Sequence, residues 1–213
     1  MIAEFTGLSA VGKSTLTPLV LRELRARGAM ARRATATRAT TKVAIAWSAG
    51  LAWLRVWVAL GPRRARRVRG SGFGFRLWRY LRRMELFGRL EGVHIVDGGL
   101  TRLLMTLHMT GAQRDLHAAW ACFGPWLATP DLVVVIEGSD DEISLRRQAR
   151  GTGNDLLAPR PTEAEKDALE QLKTALKAVA GSAPGLELIV VDNVHGDELR
   201  VATQIADAIE RRL

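Results

Sequence analysis

The stretch Gly7-Leu8-Ser9-Ala10-Val11-Gly12-Lys13-Ser14-Thr15 constrains this chain more than any other. It fits Gly-x-x-x-x-Gly-Lys-[Ser/Thr], the pattern of a phosphate-binding P-loop. Gly7 and Gly12 can adopt backbone angles that a Cβ forbids. Successive N–H groups can then turn inward and form an anion-binding hollow. Such a loop needs a strand before it and a helix after it. Ile2–Thr6 reads as a short buried strand, and 13–27 as a helix with Leu16, Val20, Leu21 and Leu24 at helical spacing. Gly28 then stops that helix. The expected nucleotide contacts are Gly7, Ser9, Ala10, Val11, Gly12, Lys13, Ser14 and Thr15. Lys13 would reach the β- and γ-phosphates of ATP, and the Ser14 hydroxyl would bind Mg²⁺.

The chain has 213 residues, enough for one α/β domain with room for an insertion. Cys122 is its one cysteine, so no disulfide framework exists; it reads as a small buried hydrophobe. The sequence runs straight into strand and loop with no leader pattern, so a cytoplasmic protein is expected. The net charge of +9 points to anionic partners: phosphates, nucleic acid or an acidic membrane surface.

Strand and helix patterns alternate, which predicts a parallel sheet covered on both faces. Further strands are expected at 31–37, 93–96, 132–136 and 186–191. Helices are expected at 43–60, 74–91, 113–128, 140–150, 162–180 and 197–212, with Thr162-Glu163 opening the one at 162–180. Residues 62–72 read as a basic loop and 151–161 as a second loop. The apolar stretch 43–61 reads first as a buried or substrate-covering helix and second as a helix lying on a membrane. A true span ranks last, because Arg55 interrupts it.

The order of parts resembles the thymidylate-kinase-like branch of the P-loop nucleotide and small-molecule kinases. The resemblance rests on the P-loop, on "HIVDGG" with Asp97, on "PDLVVVIEGSDDEISLRRQAR" and on "LELIVVDN". It implies a three-layer α/β/α domain over residues 1–213, with a five-stranded parallel sheet and the P-loop strand in the middle. Residues 43–92 would form a helical acceptor-side region and about 146–161 a lid. In that branch the arginines ending this helix start the lid. Helical spacing puts Arg146 and Arg150 on one face and Arg147 elsewhere, so the lid roles fall to Arg146 and Arg150, with ordinary surface charge as the alternative. Three acids end strands and can hold the metal: Asp97, Glu137 and Asp192. The resemblance favours Asp97; a plain turn cap is the alternative. Lys13, Asp97, Arg146 and Arg150 are therefore the candidate catalytic set, with Ser14 and Asp97 for Mg²⁺.

Asp97 is followed by Gly98, where that branch has arginine. Between Arg25 and Glu91 the one acid is Glu85. A hydroxyl acceptor benefits from a general base. A phosphate acceptor needs arginine forks instead, and Arg38, Arg76, Arg79 and Arg83 can supply them. The expected activity is thus ATP-dependent transfer to a small acceptor already carrying phosphate, such as a nucleoside monophosphate. Two rivals remain. A membrane-surface kinase for a lipid-linked or sugar phosphate would use both 43–61 and the basic run. A nucleic-acid-associated ATPase would use 62–83, with Phe73, Trp78 and Tyr80 for stacking; it ranks lower, since no Asp-Glu pair follows a hydrophobic run. A homodimer is a further open alternative.

Overall fold

The computed structural model describes residues 1–34, 50, 51, 54, 57, 58, 60–64, 66, 67, 73–87, 91–123, 129–149, 160–182 and 185–213. Five strands form one parallel sheet: β1 (Ile2–Thr6), β2 (Ala31–Arg33), β3 (Val93–Asp97), β4 (Leu132–Glu137) and β5 (Glu187–Asp192). Their order is β2-β3-β1-β4-β5, so the P-loop strand is central. Ala3 pairs in register with Ile95 on one side and Leu132 on the other.

The sequence explains this order. Leu132-Val-Val-Val-Ile136 is a run of β-branched and aliphatic residues without polar alternation, and all five are buried. A strand of that kind needs cover on both faces. Besides helical residues between 50 and 67, the described residues form helices α1 (Lys13–Ala26), α2 (Phe73–Phe87), α3 (Leu100–Met109), α4 (Leu116–Phe123), α5 (Asp140–Ala149), α6 (Glu163–Ser182) and α7 (Glu198–Glu210). α1 packs along α7, while α6 packs against α3 and α4. Thr162 and Glu165 open α6 with a reciprocal capping box: Glu165 N donates to Thr162 Oγ1 at 3.2 Å, and Thr162 N donates to Glu165 Oε2 at 2.9 Å.

Three expectations need correction. Residues 62–64, 66 and 67 are helical, not a loop. Gly61 takes a positive φ of 72 within this helical stretch, and Pro62 follows it. Second, α3 was not expected, although Leu100, Leu103, Leu104 and Leu107 recur at helical spacing and are all buried. Third, β2 ends as a strand at Arg33, and α4 begins at Leu116 rather than 113. Arg38, Arg150, the loop 151–159 and most of 43–61 lie outside the described residues, as do the side chains of Arg79, Arg83 and Cys122.

Candidate active site

The P-loop joins the carboxyl end of β1 to α1. Gly7 (φ 134) and Gly12 (φ 105) both have positive φ. A Cβ on Gly7 would lie 2.2 Å from the Ile136 carbonyl oxygen, and one on Gly12 would lie 2.2 Å from Asn193 Nδ2. Both positions therefore need glycine for conformation and for space. Ala10 also has positive φ, at 70. The alternating hand of the backbone suits a nest of inward N–H groups. α1 begins with no side-chain cap and no acid in its first turn, which leaves its positive end to a ligand. Lys13 Nζ donates to the Gly7 and Leu8 carbonyls at 2.9 and 2.7 Å. The lysine thus arches over the loop that it would serve.

Two side chains from distant segments brace the loop. Asn193 Nδ2 and Arg146 Nη1 both donate to the Val11 carbonyl, at 2.7 and 3.0 Å. Arg147 also reaches it, with Nε 3.4 Å from the Ser9 carbonyl. This corrects the expectation that Arg147 points elsewhere. Its guanidinium meets Glu165 of α6 at 3.0 and 3.3 Å, so the far end of α5 is pinned between loop and helix. Burial pushes the Glu165 carboxyl up, but hydrogen bonds from Thr162 and Arg147 outweigh it and hold the group below its ordinary range.

A cleft of about 450 Å³ opens beside the loop, lined by Gly7, Ser9, Ala10, Gly12, Lys13 and Ser14. Its other wall comes from Asp97 and Gly98, from Arg76 of α2, and from Arg102, Met105, Thr106 and Met109 of α3. The α3 residues recur at i, i+3, i+4 and i+7, opposite the buried leucines. Asp97 faces this cleft, with Arg33 Nη2 3.9 Å away. Glu137 and Asp192 line a separate cavity of about 600 Å³, and Glu137 is paired with Lys173 at 2.6 Å. Of the three candidate metal acids, only Asp97 shares a cleft with Lys13 and Ser14.

Arg76 is the unusual cation. Its Nε is buried and has no hydrogen-bond partner among the described residues. Burial, followed by the nearby charge of Arg102, lowers the affinity of its guanidinium for a proton. Arg76 and Arg102 thus stand together on the wall that also carries Asp97.

Beneath the cleft, Glu4 of β1 is 1% exposed. Its carboxylate accepts hydrogen bonds from Leu100 N at 3.0 Å and Thr101 N at 2.8 Å, and so caps α3 across the sheet. Burial raises its pKa to about 7 despite these donors.

Two solved structures share this architecture: deoxyadenosine kinase from M. mycoides with bound dATP and the same enzyme with bound dCTP. The first has a TM-score of 0.58, 13% identity, and covers 97% of this chain and 100% of its own. The second has a TM-score of 0.53, 13% identity, and covers 98% and 100%. The chain has the fold of the P-loop kinases. This is the architecture that the resemblance implied. No protein-family model and no curated protein matches the sequence.

Sequence reasoning missed Arg102, Arg147, Asn193 and Glu4. Arg102 was within reach through the two-faced pattern of α3. The other three depend on contacts between distant segments. Among the described residues no cluster of three or more His, Cys, Asp or Glu forms a metal site, and no helix is long and apolar enough to cross a membrane.

Proposed function

We propose that the chain transfers the terminal phosphoryl group of ATP to a small acceptor that already carries phosphate, such as a nucleoside monophosphate. The observation that carries this reading is Arg76, whose buried Nε lacks a hydrogen-bond partner among the described residues and stands near Arg102 in the cleft that holds Lys13 and Ser14. A neutral acceptor would leave that wall uncompensated. A phosphate offers oxygens to both guanidinium forks. Arg79 and Arg83 follow Arg76 in α2 by three and seven residues, and with Arg38 they complete the proposed acceptor set.

On the donor side, Lys13 and the loop amides from Gly7 to Thr15 would cradle the β- and γ-phosphates. Ser14 and Asp97 would hold Mg²⁺, which when bound neutralises charge on the phosphate oxygens. Arg146 and Arg150 would add positive charge from the far side as the phosphoryl group moves. An anionic acceptor attacks without a base, which leaves Asp97, the acid of that wall, to the metal.

The test is ADP release from ATP and Mg²⁺ across nucleoside monophosphates, sugar phosphates and unphosphorylated nucleosides. Stimulation by one phosphorylated compound, abolished by Lys13→Ala in a folded protein, supports the reading. Stimulation by deoxyadenosine alone would make the chain a nucleoside kinase, with Asp97 as the base. No response to any small molecule would remove the phosphotransfer reading.

A further inference from the structure

We propose that the helical surface carrying Leu51, Leu54 and Val58 docks on an anionic membrane surface. Residues 50, 51, 54, 57, 58, 60–64, 66 and 67 are helical. Trp57 and Leu60 turn inward: the Trp57 ring meets Phe73 edge-on with centroids 6.0 Å apart, and Leu60 is buried. Leu51, Leu54 and Val58, spaced i, i+3 and i+7, are 40%, 53% and 73% exposed. That is an outward apolar stripe.

Beyond Gly61 and Pro62 the character changes. Arg63, Arg64 and Arg66 are exposed, and among the described residues none pairs with an acid. Arg67 donates to the Gly111 carbonyl and ties this basic segment to the α3–α4 turn. Between Arg25 and Glu91 the sequence contains one acid, Glu85.

An aliphatic stripe continuing into arginines fits a helix that lies in a headgroup layer. The apolar residues enter the acyl boundary and the arginines meet anionic headgroups. A nucleic acid would reward the arginines and leave Leu54 and Val58 in water. A second copy of the chain would set arginines against arginines. The surface lies outside the cleft, so this inference stands or falls apart from the proposed activity.

The test is flotation of the full chain with phosphatidylcholine vesicles and with mixed phosphatidylcholine–phosphatidylglycerol vesicles, at low and high salt. Binding to the anionic vesicles, weakened by salt, is expected, with none to the neutral ones. Combined Arg63→Gln, Arg64→Gln and Arg66→Gln should weaken binding about a hundredfold, at about fivefold per arginine. Leu54→Asp with Val58→Asp should also weaken it, with circular dichroism and ADP release unchanged. Failure to float with anionic vesicles at low salt overturns the proposal, as does binding that survives both sets of substitutions. Equal binding to neutral vesicles overturns the charge argument. Preference for an RNA oligonucleotide, or a dimer in sedimentation velocity that Val58→Asp splits, would give the surface to a different occupant.

Discussion

Asn193 donates a hydrogen bond to the Val11 carbonyl at 2.7 Å, joining residues 182 positions apart. Arg146 donates to the same oxygen, and Val11 is buried. Either donor alone keeps the carbonyl satisfied; losing both strands it. Asn193→Ala and Arg146→Ala should each cost about 1 kcal/mol of stability. The double variant should exceed their sum by about 1 kcal/mol. Urea unfolding of the four proteins measures this. Simple additivity would mean that the two donors do not act on one acceptor.

Asp97 and Asp192 both end strands, yet only Asp97 lines the cleft with Lys13 and Ser14. Asp97→Asn should lower the rate of ADP release by about a hundredfold or more. Asp192→Asn should leave it within a few-fold. The reverse order would assign the metal to the other acid.

Arg76 combines a buried Nε that has no hydrogen-bond partner among the described residues with a like charge nearby. Arg76→Met keeps most of the volume and removes both penalties. The variant should melt higher, with a gain of about 1 kcal/mol, and its acceptor KM should rise at least tenfold. Calorimetry and acceptor titration check the two halves. A lower melting temperature would mean that the arginine is satisfied in the native protein.

Glu4 has a native pKa raised from 4.5 to about 7 by burial. The folded state therefore holds a proton that the unfolded chain releases. Its contribution is fully present below about pH 4.5 and is lost as pH rises toward 7. Across that window it amounts to about 3 kcal/mol. Glu4→Gln should flatten this part of the stability profile, measured by urea unfolding between pH 5 and 8. An unchanged slope would show that another group titrates.

Much of the frame was legible because the cues are local. The P-loop spacing, the leucines of α1 and the unbroken run Leu132–Ile136 each specify their own element. The five-stranded order with β1 central followed from the resemblance and agrees with the observed pairing. The Leu100, Leu103, Leu104 and Leu107 pattern was equally local. It went unread because Asp97-Gly98-Gly99 directly before it reads as a turn. The turn is there, and the helix starts at Leu100, directly after it.

The bracing of the site was not legible for a different reason. Helical spacing separates Arg147 from Arg146 and Arg150, but a guanidinium is long enough to follow its partner. That partner, Glu165, comes from the next helix. Asn193 meets the P-loop only once the sheet has brought β5 near β1. Glu4 is the one acid of a buried strand, and α3, 96 residues later, supplies the N–H groups from which it accepts hydrogen bonds.

That last contact has a consequence for the whole site. β1 ends in the loop proposed for the donor, and its Glu4 holds the first turn of the helix that carries Arg102. One five-residue strand therefore serves as the gauge between the two halves of the cleft. Catalysis by positioning tolerates little error in the gap between reactants. Here that spacing is set at the stiff centre of the sheet, so loops around the cleft can vary in length without resetting it.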